Sequence, residues 1–230
     1  MADKAPIAVA LDAPDLSTLS DWAAATAPFV DTLKVGLESY LRDGEHAIAA
    51  VRAAGTRLFL DLKLHHIPNT VAGACRSVAR FEPDFLTVHA SGGAEMVSSA
   101  AKALPGTRIT AVTMLTSLSE ADLVALGINL SPIDVVVRWA KLAVAAGAGA
   151  IVCSPQEVAA VRAAVPSDIV LITPGVRPLG ADLADQQRVA TPESALASGA
   201  DLVVIGRPIT GAPDVAAAAK AIGEQLGGRA

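Results

Sequence analysis

A chain of 230 residues, 52% apolar and 18% charged, carries enough hydrophobic material for one substantial core. Its net charge of −5 argues against general nucleic-acid binding, which draws most of its affinity from a basic face. A small anion remains compatible with that charge, because a local pair of arginines outweighs a modestly negative whole.

The N-terminal residues Met1-Ala2-Asp3-Lys4 show no basic leader or cleavage motif, and no uninterrupted apolar run reaches membrane length. A cytoplasmic protein without membrane contact is expected. From there, short β-branched runs alternate with alanine-rich segments. Strands are predicted at Ile7–Leu11, Thr32–Gly36, Arg57–Leu62, Asp84–His89, Arg108–Met114, Ala150–Cys153, Asp168–Ile172 and Asp201–Ile205. Segments such as Thr18–Ala27, Gly44–Ala54, Thr70–Ala79 and Ile133–Ala146 space their apolar residues by three and four, as helices do. Eight strand–helix units imply right-handed crossovers and a parallel sheet, and in this length they favour a closed barrel. The expected fold is therefore α/β, a single-domain (β/α)₈ TIM barrel over residues 1–230. The two cysteines, Cys75 and Cys153, lie in apolar runs and fit buried free thiols better than a disulfide or zinc site.

In such a barrel, chemistry gathers at the carboxyl ends of the strands. Those ends carry Asp12, Lys34, Asp61, Lys63, His65, His66 and His89 in the first half of the chain. The second half adds Thr113, Thr116, Ser117, Ser154, Thr173-Pro174-Gly175, Arg177 and Gly206-Arg207. Asp61 and Lys63 are two apart on one strand, so both are expected on one face, with Leu60 and Leu62 on the other. Lys34, from the neighbouring strand, is expected to reach the same carboxylate. An interior salt bridge would show the same pattern, but buried ion pairs stabilise weakly and perturbed charges gather at functional sites. Arg177 and Gln186 precede the Gly206-Arg207 step, and together these four suit a phosphate grip after strands seven and eight. The long loop containing Arg177 and Gln186, residues 174–187, is expected to close over the phosphate.

These residues resemble the orotidine 5′-phosphate decarboxylase family, in its short bacterial type. The similarity is carried by Ala8-Val9-Ala10-Leu11-Asp12, Leu33-Lys34-Val35-Gly36, Val88-His89-Ala90 and the motif Asp61-Leu62-Lys63-Leu64-His65-His66-Ile67-Pro68-Asn69-Thr70. It continues through Ala111–Ser117, Val152-Cys153-Ser154-Pro155, Pro174-Gly175-Val176-Arg177, Asp185-Gln186-Gln187-Arg188 and Ile205-Gly206-Arg207-Pro208. The resemblance implies decarboxylation of orotidine 5′-monophosphate (OMP) to UMP, with no metal or cofactor. It implies that Lys63 protonates C6 of the pyrimidine, that Asp61 sits beside the departing carboxylate, and that Lys34 binds Asp61 and the ribose. Asp12 would bind ribose hydroxyls, and Ser117 would read the base edge with backbone near Thr116 and Pro174. Arg177, Gln186, Gly206 and Arg207 would hold the phosphate. Thr70 would cross into a partner's site, so a homodimer with sites at the interface is implied.

One position departs from the family. His66 stands where members usually carry a second aspartate, the one lent to the neighbouring subunit. Two lysines then share one carboxylate. Either decarboxylation is slowed with nucleotide binding intact, or a neutral imidazole replaces the missing acceptor well enough for turnover. Two rivals from other classes remain at this point. His65, His66, His89 and Asp61 invite a metal-dependent pentulose-phosphate epimerase or aldolase, although Lys34 stands where a ligand is wanted. A nucleotide-binding protein that has lost its chemistry is the other.

Overall fold

Eight parallel strands close on themselves because each apolar run is followed by a helix long enough to carry the chain back across the sheet. The computed structural model describes residues 4–177 and 190–227. The first half runs β1 (Ala5–Ala10), α1 (Leu16–Thr26), β2 (Val30–Val35), α2 (Leu37–Asp43), α3 (Glu45–Ala53), β3 (Arg57–Leu64), α4 (Pro68–Val78), β4 (Phe85–His89) and α5 (Gly93–Ala103). The second runs β5 (Arg108–Val112), α6 (Glu120–Ala125), α7 (Pro132–Ala145), β6 (Ala150–Val152), α8 (Val158–Ala164), β7 (Val170–Thr173), α9 (Pro192–Ala197), β8 (Leu202–Ile205), α10 (Arg207–Thr210) and α11 (Val215–Gln225). Each strand pairs with its successor, and β8 returns to β1. The predicted strands coincide with these, their ends displaced by at most two residues.

Two cores follow from strand alternation. Ile7, Val9 and Leu11 face the helices in the large outer core, while Ala8 joins Phe59, Phe85, Ala150, Ile172 and Leu202 inside the barrel. The paucity of aromatic residues concentrates the interior's bulk in Phe59 and Phe85, whose rings meet edge to face at 5.7 Å. Arg57 and Arg108 lie over the Phe85 ring, 5.6 and 5.9 Å from its centroid, at the amino-terminal end of the barrel.

The helix starts are set locally. Asp15, Ser131 and Asp214 each accept a backbone N–H from their own first turn, and Ser119 with Asp122 forms a reciprocal capping box. Proline occupies the first turn of α4, α7 and α9, where no backbone donor is needed.

Candidate active site

The carboxyl ends of β2, β3 and β4 bring Lys34, Asp61, Lys63 and Thr87 into one cluster. Lys34 and Asp61 are buried, 7% and 8% exposed, because both point into the barrel above Phe59. Lys63 Nζ lies 2.8 and 2.9 Å from the two Asp61 carboxylate oxygens, and Lys34 Nζ lies 3.3 Å from Oδ2. Asp12, at the end of β1, stands 3.8 Å from the Lys34 ammonium. Burial by itself would push the Asp61 carboxyl up. The ammonium groups of Lys34 and then Lys63, with hydrogen bonds donated by Lys63 and Thr87, reverse that and hold it below the usual carboxylate range.

Asp61 and Lys63 meet as expected, but by a different route from simple alternation. Between the pairs Leu60–Leu86 and Leu64–Val88, β3 advances four residues while β4 advances two. Lys63 sits in this bulge with φ of +49°, a left-handed value rare for a residue with a side chain. Its backbone N–H leaves the ladder and donates to Thr87 Oγ1 at 2.8 Å, while the Thr87 hydroxyl donates to Asp61 Oδ1 at 3.0 Å. Thr87 was not singled out from the sequence. Its signal was present: it is an inward-facing polar residue on β4, two before His89 and beside Asp61 on the neighbouring strand.

Gly36 makes room for the cluster. A Cβ there would stand 2.7 Å from Asp12 Oδ1 and 2.8 Å from Lys34 Nζ. A cavity of about 190 Å³ opens against Lys34, Asp61 and Lys63 and is closed on its other walls by Val112, Met114, Leu115, Thr116, Val152, Cys153 and Pro174. One wall is therefore cationic and the other largely apolar, an arrangement that suits a flat, polar-edged ring presented to a charged centre. Cys153 is fully enclosed in that wall. Burial, and secondarily the nearby Glu157 carboxylate, pushes its thiol up to about 12.

The remaining residues named from sequence are distributed around the same mouth. Pro174 and Thr116 line the cavity, and Arg177, 8% exposed, follows β7 with its guanidinium donating to the Val176 carbonyl at 3.0 Å. Gly206 and Arg207 follow β8, with Arg207 exposed. Ser117 is exposed in the loop between β5 and α6, and Thr70 is exposed in the first turn of α4. Gln186, and all of the 174–187 loop beyond Arg177, lies outside the described residues. His66 is exposed, and its Nδ1 accepts the Ile67 backbone N–H at 2.9 Å, which turns the ring toward its own chain.

His65 and His89 lie with ring centroids 5.4 Å apart and planes tilted by 39°. Burial, then the charges of His65 and Lys63, lowers the His89 pKa below the ordinary histidine value. Among the described residues, no three of His, Cys, Asp and Glu converge in a way that could hold a metal ion. The ligand set needed by the epimerase or aldolase reading is not assembled by His65, His66, His89 and Asp61.

Comparison with known proteins agrees with this geometry. The model of the orotidine 5′-phosphate decarboxylase / HUMPS family matches residues 5–222. A protein of Thermobifida fusca (strain YX) named orotidine 5′-phosphate decarboxylase is 66% identical over 223 residues, covering 96% of each chain. One of the same name from Frankia casuarinae is 52% identical, covering 97% of this chain and 88% of that one. The crystal structure of orotidine 5′-phosphate decarboxylase from Lactobacillus acidophilus superposes with a TM-score of 0.84 at 34% identity, covering 97% and 99% of the two chains.

Proposed function

The chain belongs to the orotidine 5′-phosphate decarboxylase / HUMPS family, and from that premise we propose how its residues share the decarboxylation of OMP to UMP in pyrimidine biosynthesis. The observation that carries the assignment of roles is the Lys34–Asp61–Lys63 cluster facing a cavity with apolar walls.

Loss of carbon dioxide breaks the bond between the carboxylate carbon and C6 and leaves the electron pair on C6. That pair lies in the plane of the ring and has no resonance sink, so a cation must stand where the charge develops. Lys63 is that cation. Its ammonium gives its proton to C6 and regains one from solvent afterwards. Asp61 keeps Lys63 charged and aimed, and its own negative charge disfavours the substrate carboxylate more than the product that lacks it. Lys34 keeps Asp61 ionised inside the barrel and, with Asp12, offers hydrogen bonds to the ribose. Thr116, Ser117 and Pro174 hold the base edge. Arg177, Gly206 and Arg207, with Gln186 from the 174–187 segment, take the phosphate, whose binding energy is then available to close the site.

A homodimer is part of the proposal. Leu37 and Leu41, one turn apart on α2, and Ile67, just before α4, are 45%, 78% and 63% exposed beside the mouth. A partner covering them would also cover Thr70 and His66, and would bring these residues to its own site. The cytoplasm is the compartment proposed, since a phosphorylated nucleotide does not cross a bilayer unaided.

The test follows OMP absorbance with the wild type and Lys63→Ala. Turnover by the wild type and its loss by at least about a hundredfold in the variant are expected; a variant that retained the rate would remove Lys63 from the proton-donor role.

A further inference from the structure

We infer that Thr87 is a positioning residue for the reaction, its single hydroxyl locking both the backbone and the ammonium of Lys63 against Asp61. The inference rests on the reading of Lys63 as proton donor and adds the device that holds it in place.

The geometry supports this at each bond. A lysine in the left-handed region crowds its Cβ against the following carbonyl, so the conformation persists only where its surroundings impose it. Among the described residues, Lys63 and Glu82 alone hold a positive φ without being glycine. The bulge that creates this turn takes the Lys63 N–H out of the ladder with β4, and Thr87 Oγ1 replaces the lost acceptor. The same oxygen spends its one proton on Asp61 Oδ1, which is also the oxygen nearest Lys63 Nζ. A hydroxyl has one donor and can still accept, so the two bonds are compatible and oriented by each other. Thr87 is 1% exposed and β-branched, which restricts its χ1 and leaves it little freedom to make other bonds. It is absent from the cavity wall, so it acts through Lys63 and Asp61 and not on substrate.

The experiment compares wild type, Thr87→Val, Thr87→Ser and Lys63→Ala for kcat, KM and the pH profile of OMP turnover, with circular-dichroism melting as the check on folding. Valine keeps the shape and removes the hydroxyl. Its kcat is expected to fall about tenfold to a hundredfold, the worth of a hydrogen bond to a charged group, while KM moves by less than about threefold. The acid limb of its kcat profile is expected at higher pH, since Asp61 loses a donor. Serine restores the hydroxyl and is expected to hold kcat within about threefold of wild type. A valine variant within about twofold of wild type, a serine variant as slow as valine, or a loss carried by KM alone overturns the inference. If Thr87→Val does not fold, serine decides: a drop beyond about tenfold overturns the inference, and retention supports it. A Lys63→Ala variant at the wild-type rate would instead defeat the proton-donor reading on which the inference rests.

Discussion

Lys63 Nζ contacts both oxygens of Asp61, at 2.8 and 2.9 Å, although within β3 the Lys63 backbone bulges out of the ladder with β4. The carboxylate is thus held by one ammonium on both oxygens and by Lys34 from the far side. Its pKa is lowered in the folded state, so the stability from this cluster is fully present above the unfolded aspartate value of about 3.9 and drains away as pH falls through the lower folded value. Wild-type protein should therefore show no loss of melting temperature attributable to Asp61 between pH 7 and about pH 4. In Lys34→Met the carboxyl loses its foremost cation, and the acid decline should start at a higher pH. Melting curves across pH for the two proteins check this; superimposable acid declines would refute it.

Gly36 is close enough to Asp12 and Lys34 that any side chain there must displace them. Its own φ of −93° is open to any residue, so the cost of a methyl falls on the two flexible charged side chains and not on the backbone. Gly36→Ala is expected to lower kcat/KM about tenfold to a hundredfold through misplacement of the cluster, with melting within a few degrees of wild type. Unchanged kinetics would mean that Lys34 and Asp12 have free room elsewhere.

His66 turns its ring to its own backbone and makes no bond to the Lys34–Asp61–Lys63 cluster of the same chain. Restoring a carboxylate with His66→Asp is expected to raise kcat by roughly tenfold or more, as one further electrostatic partner is returned to the lysines. The check is the same absorbance assay at saturating OMP, where an unchanged or lower kcat counts against the proposal.

Cys75 and Cys153 are both buried, with burial pushing their thiols up to about 11 and about 12. Thiolate is then scarce at neutral pH and reagents cannot reach the sulfur. Native protein titrated with a chromogenic disulfide at pH 8 should release almost no thiol, whereas denatured protein should release two equivalents. Prompt reaction of the native protein with loss of activity would contradict the burial of Cys153 in the cavity wall.

Much of the fold is local in origin, and for that reason it could be read from the chain. Period-two runs at Ile7–Leu11 or Asp84–His89 and helical spacing at Thr18–Ala27 depend on neighbours a few residues away. The same rule of alternation placed Lys34 and Asp61 inside, and topology then placed them at the mouth. Asp12, Thr116 and Pro174 were found in the same way.

Alternation put Lys63 beside Asp61, where the structure has it, but did not foresee the backbone that brings it there. A bulge is a mismatch between two paired strands, here β3 against β4, and neither Leu62-Lys63-Leu64 nor Phe85–His89 contains it alone. Thr87, the partner of the freed Lys63 amide, is 24 residues from Lys63 and 26 from the Asp61 carboxylate it faces. The sequence by itself determined eight alternating strands and helices and a charged carboxyl-terminal rim carrying Lys34, Asp61 and Lys63. Only the closed barrel decided which oxygen each donor meets and how far Lys63 departs from the ladder with β4, because register and bulges arise from pairing between distant segments.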